Sequence, residues 1–256
     1  LRGEYYLHLF AKEQPDLNYH NEAVIEAIEE AMHFWLERGV AGFRCDVINI
    51  IYKEAIKNGK WRPALTGSEY YLSTPGCHRV LHRLHEDVLA KYDAFTVGET
   101  VFVTPKMADD LVNPARGELS TVFAFEHMET DCYKIKWFLR RFSPDRFFAC
   151  LTKWQKALPW NTVYLENHDQ PRIASYLWTE AALKNYTAML YFLKGTTLIY
   201  AGQEFESEHL PSLFEKEPIE RRTGLDLSPL LRQLYAVKQG FGTQDLSLIH
   251  ISEPTR

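Results

Sequence analysis

The chain has 256 residues, 46% of them hydrophobic and 25% charged, with a formal net charge of -5. That length suits one large core or two smaller ones, and the acidic balance argues against a nucleic-acid partner held by a global basic field. No apolar run approaches the roughly 20 residues of a membrane-spanning helix. The 4 cysteines, Cys45, Cys77, Cys132 and Cys150, show no C-x-x-C spacing. They fit neither a zinc cluster nor a dense disulfide framework, so buried reduced thiols and a cytoplasmic location are expected.

In chain order, the first predicted element is a helix from Asn21 to Arg38, with Val24, Ile28, Met32 and Trp35 at helical spacing. Asn21 reads as its N-cap and Gly39 as its stop. A strand over Val40–Cys45 follows, then a helix over Arg79–Lys91 with Val80, Leu84 and Val88 on one face. Strands are predicted over Ala94–Val97 and Val122–Phe125, and Ser143-Pro144 opens a helix carrying Phe148, Leu151 and Leu158. A strand over Thr162–Leu165, a helix over Glu180–Lys194 stopped by Gly195, a strand over Thr197–Ala201 and a last helix over Pro229–Gln239 complete the series. Trp35 and Trp154 are assigned to helix packing.

Helices alternating with short apolar strands predict an α/β fold with a parallel sheet and right-handed crossovers. Five strands are legible, whereas a closed (β/α)8 barrel needs eight. The expected architecture is therefore an incomplete (β/α)8 TIM barrel, about strands 4 to 8 with their helices. A five-stranded doubly wound sheet is the alternative. It would normally carry a Gly-rich phosphate turn, and neither G-x-G-x-x-G nor G-x-x-x-x-G-K occurs. Residues 21–240 form the expected partial barrel, preceded by 1–20. The tail 241–256 breaks the pattern and is expected to be non-native or disordered.

The chemistry is carried by acids at strand ends. In Gly42-Phe43-Arg44-Cys45-Asp46-Val47, alternation along a strand points Arg44 and Asp46 the same way, and the guanidinium favours an ionised Asp46. Glu99 follows the apolar run Phe95-Thr96-Val97-Gly98, where desolvation would raise its pKa toward an acid/base role. Asp169 lies beside His168. Taken singly, each acid reads as readily as a helix N-cap or an ordinary ion pair. Three at strand ends suit glycosidic bond cleavage, which needs one protonated acid and one ionised carboxylate. Tyr70 and Tyr71 are candidates for sugar contacts. His78, His82 and His85 share a helix face but lack strand-end carboxylates, and read as a solvated face rather than a metal site.

Gly42–Val47, Val97–Glu99 and Glu166-Asn167-His168-Asp169-Gln170-Pro171-Arg172 resemble three signature regions of glycoside hydrolase family 13, the α-amylase family. Gln14–Asn18 resembles the short motif near the end of its domain B, and Gly195–Glu204 its eighth-strand motif. The resemblance implies a retaining α-glucosidase: Asp46 the nucleophile, Glu99 the general acid/base, Asp169 the transition-state stabiliser, with Arg44, His168 and Arg172 around the nonreducing-end sugar. Val47, following the nucleophile, implies α-1,6-linked, isomaltose-type oligosaccharides, with α-1,4-glucosidase and trehalose-6-phosphate hydrolase as variants. It also implies residues 1–20 as the end of domain B. No cofactor or metal is expected of these residues; a calcium loop, in members that have one, would lie ahead of Leu1. The family's first motif has no counterpart, and Thr197 replaces a commoner proline. The loop Phe205–Ile219 differs from the oligo-1,6-glucosidase pattern. An inactive glycosidase-like fragment or binding module is the non-enzyme alternative.

Overall fold

The computed structural model describes residue 3 and residues 5–62, 65–133, 135–177, 179–219 and 224–240, with 135–139 as backbone only. The tail 241–256 lies outside the described residues. The chain divides into two compact units, residues 1–124 and 125–256.

In the first unit, β1 (Gly42–Cys45), β2 (Phe95–Glu99) and β3 (Thr121–Phe123) run parallel. Arg44 pairs with Val97 and Cys45 with Gly98 in register. Gly42 is required there, because a Cβ at that position would run into the backbone carbonyl of Phe95. Helix α1 (Glu22–Leu36) starts where the Asn21 side chain accepts a hydrogen bond from Ala23 N at 3.2 Å. Its Ile25 packs with Val80 and Leu84 of α2 (Pro75–Asp87), forming a buried cluster between the two helices. Arg83 of α2 reinforces this contact by pairing with Glu22 and, at 2.7 Å, with Glu29.

Several expectations change. Trp35 is 52% exposed rather than packed, because the buried stripe of α1 runs through Ile25 and Leu36. Helix α2 begins four residues before the predicted Arg79, since Thr74 accepts from Cys77 N at 3.3 Å and Pro75 occupies the first turn. A short helix α3 (Pro105–Val112), capped by Thr104, was not expected; its Thr-Pro start is the signal that would have revealed it. His78 is not solvated, as its Nδ1 lies 2.7 Å from the buried carboxylate of Glu118. Tyr71 is buried with its hydroxyl on Thr66 O at 3.4 Å, which turns it inward rather than toward a sugar.

The second unit contains the antiparallel pair β4 (Cys132–Tyr133) and β5 (Ile135–Leu139), a hairpin absent from the sequence reading. It also holds the parallel pair β6 (Thr162–Val163) and β7 (Thr196–Thr197), with α4 (Pro144–Ala157), α5 (Glu180–Phe192) and α6 (Ser228–Gly240). Its core joins Phe147 and Leu151 of α4 to Val163, Leu165, Leu190, Tyr191, Leu193 and Leu234. Each such side chain contributes about 1.5–3 kcal/mol on burial. Trp154 packs as expected, 4% exposed, and its Nε1 donates to Glu126 at 2.9 Å. Phe148, expected on the same face, is 42% exposed. Both regular strands are shorter than predicted, although Tyr164 and Leu165 continue buried beyond β6.

None of the four cysteines is joined in a disulfide. Cys77 and Cys150 are buried as expected, and Cys45 and Cys132 only half-buried. Burial pushes Cys45 up to about 11 and Cys77 and Cys150 up to about 12, so these thiols are inert at neutral pH. Among the described residues no helix is long and apolar enough to cross a membrane.

Candidate active site

The parallel register of β1 and β2 decides the geometry at their carboxyl ends. Continuing the Cys45–Gly98 pairing by one residue sets Asp46 beside Glu99. Arg44 bridges the two acids: one guanidinium nitrogen pairs with Asp46 and Nη2 lies 2.7 Å from Glu99 Oε2. The same Glu99 oxygen accepts the backbone N–H of Val47 at 3.2 Å.

The two carboxylates occupy unlike surroundings. The Asp46 side chain is 74% exposed and that of Glu99 only 8%. Burial raises the pKa of Glu99, a hydrogen bond shared with Asp46 adds to this, and Arg44 and the Val47 N–H oppose it. Burial disfavours the charged form more than one partly exposed guanidinium can recover. The direction is the one the apolar run before Glu99 leads one to expect. A pair in which one acid is open to solvent and the other is held toward its protonated form can divide base and acid roles.

Val47 is held at φ 39 and ψ 40, a left-handed conformation in which a β-branched residue costs about 1–3 kcal/mol. That turn aims its N–H at Glu99. The following turn is locked by Asn49, which is fully buried. Its side chain donates to Val101 O at 2.9 Å and accepts from Val101 N at 3.0 Å. Asn49 was missed by the sequence reading; an asparagine inside the apolar run Val47–Ile51 was the available signal.

The second unit carries the other expected site residues. Past β6, Tyr164, Leu165 and Glu166 are buried, and the chain then surfaces at Asn167, His168 and Asp169. Asn167 Oδ1 accepts the Asp169 N–H at 2.9 Å, and His168 Nε2 lies 3.2 Å from Asp169 Oδ2. Arg172 departs from expectation. It is 1% exposed, its Nε donates to Ser207 O at 3.1 Å and its Nη2 to Ala201 O at 3.0 Å, and it sits 4.8 Å over the Tyr200 ring. It therefore builds the interior of this unit instead of facing a sugar. Its counter-charge is Glu166, with Oε1 3.1 Å from Arg172 Nη1 and Oε2 accepting Ile173 N at 2.7 Å. Glu166 lies inside the motif, and nothing in the local sequence identifies its partner.

Thus Arg44, Asp46, Val47 and Glu99 converge in one unit, and His168 and Asp169 in the other. Parallel strands with two acids at their carboxyl ends are an α/β arrangement able to present a carboxylate pair to a ligand. The description "Alpha amylase, catalytic domain" matches residues 1–234, and the chain belongs to that family. It is 42% identical over 235 residues to the oligo-1,6-glucosidase of Parageobacillus thermoglucosidasius, covering 86% of this chain and 42% of the relative. It is 39% identical over 261 residues to the oligo-1,6-glucosidase of Bacillus cereus, covering 92% and 46%. The crystal structure of Bacillus licheniformis trehalose-6-phosphate hydrolase superposes with a TM-score of 0.73 at 36% identity, covering 80% of this chain and 38% of that one. The chain spans less than half the length of these relatives. The likeness bears out the α/β fold expected from the sequence.

Proposed function

We propose that this sequence belongs to a retaining α-glucosidase that removes glucose from the nonreducing end of α-1,6-linked, isomaltose-type oligosaccharides. Residues 1–20 are read as the end of domain B and 21–240 as part of the catalytic barrel. The observation that carries the reading is the Arg44-bridged pair of unlike carboxylates, Asp46 exposed and Glu99 buried with a raised pKa. In this scheme Asp46 attacks the anomeric carbon while Glu99 protonates the departing glycosidic oxygen. Glu99, now ionised, then takes a proton from the water that releases the sugar from Asp46. Asp169, oriented by Asn167 and His168, stabilises the positive charge that develops on the ring. No cofactor enters the scheme.

The substrate assignment is supported by Val47 and by the oligo-1,6-glucosidase relatives. A trehalose-6-phosphate hydrolase is the second reading, supported by the structural neighbour that carries that title. Initial rates on isomaltose, maltose and trehalose 6-phosphate separate the two, and proton NMR of the first-formed glucose reports retention. Release of the β-anomer, or full turnover by Asp46→Asn, would overturn the mechanism.

A further inference from the structure

The seven residues from Glu166 to Arg172 begin and end in the interior, while Asn167, His168 and Asp169 between them are only half-buried. Glu166 and Arg172 are each 1% exposed and face one another at 3.1 Å, so a buried ion pair closes the base of this turn. Glu166 also accepts the Ile173 N–H at 2.7 Å, which fixes the chain just past the turn. Arg172 extends the contact to a second turn through the carbonyls of Ala201 and Ser207. That turn is fitted to it. Gly202 has φ +95, and a Cβ there would collide with Arg172 Nη2. Ser207 N in turn donates to Gly202 O at 3.1 Å.

We propose that the Glu166–Arg172 pair is a positioning staple that closes the 167–171 turn from beneath and sets how His168 and Asp169 are presented. The proposal rests on the catalytic reading for its consequence in turnover, but its structural part stands without it. Neither residue touches substrate in this scheme; both act through the turn. A mere packing pair would be served by apolar side chains of similar volume. A pair that must hold two backbone segments at fixed distances needs the carboxylate and the planar guanidinium fork. Burial, with Glu204 adding to it, lifts Glu166 to about 7 against the opposing Ile173 N–H and Arg172.

The test compares an intact protein carrying this sequence with its Glu166→Gln and Arg172→Lys variants by amide hydrogen exchange and by kinetics on isomaltose. The expected result is exchange about tenfold faster across Asn167–Ile173 with α4 and α5 unchanged, because the opening is local. The kinetic counterpart is a kcat lowered about tenfold or more at similar KM, the signature of a misplaced transition-state group. Arg172→Lys, which keeps the charge but not the fork, should show the same pattern if Glu166→Gln fails to fold. Uniform acceleration of exchange throughout the unit in both variants, or unchanged exchange in the turn, overturns the staple. Local exchange effects with no hydrolysis by the unaltered protein would leave the staple standing and overturn the glucosidase reading instead.

Discussion

Lys238 is 7% exposed on α6, and its Nζ donates to Leu193 O at 3.2 Å and Thr197 Oγ1 at 2.8 Å. It thereby ties the end of α5 to β7. Both partners are neutral, and burial lowers its pKa from the ordinary 10.5 to about 8. The native site therefore binds a proton less tightly than the unfolded chain does. Unfolding takes up a proton across this window, so stability rises with pH from about 8 to 10.5. A drop of that size corresponds to about 3 kcal/mol, with little screening at so buried a position. Lys238→Met keeps the aliphatic stem and removes the amine. Urea unfolding of both proteins at several pH values between about 7 and 10.5 measures the effect. Tyrosines and thiols that titrate in the same range cancel in the difference between the two. That difference should grow by about 3 kcal/mol in favour of the lysine protein as pH rises. A difference that stays constant with pH would refute the argument, whatever its absolute size.

Three further outcomes are expected. Glu99→Gln should lower kcat/KM on isomaltose by about 10²–10⁴, with a smaller loss on an aryl glucoside whose leaving group needs no protonation; equal losses on both would rule out the acid role. Gly202→Ala should destabilise the second unit by about 2 kcal/mol or more, measured by thermal unfolding, because it combines left-handed backbone with a collision at Arg172. Leu190→Ala, at a site 1% exposed in the core, should cost about 2–5 kcal/mol in urea denaturation.

Elements with strong local punctuation were legible: Asn21 and Gly39 bracket α1, Ser143-Pro144 opens α4, and Gly195 follows α5. The hairpin β4–β5 was missed although Tyr133-Lys134-Ile135-Lys136-Trp137 alternates apolar and polar, because a run this short names no partner and its pairing is a cross-strand matter. Trp35 and Phe148 were misplaced for a related reason. Helical spacing identifies an apolar stripe, but the neighbouring element decides which part of it is covered.

At the site, local sequence singled out Asp46 and Glu99 as acids at strand ends, and the structure brings both to the carboxyl ends of β1 and β2, whereas Asp169 lies six residues past β6. Local sequence also anticipated the direction of the Glu99 shift from the apolar run preceding it. What only the tertiary structure decided was how unlike the two acids are, since burial at Glu99 comes from strands and turns distant along the chain. Likewise it withdrew Arg172 from the surface and gave Glu166 a partner. A charge enters the interior only when opposite charge and backbone dipoles meet it there, and those partners come from segments the local sequence does not identify.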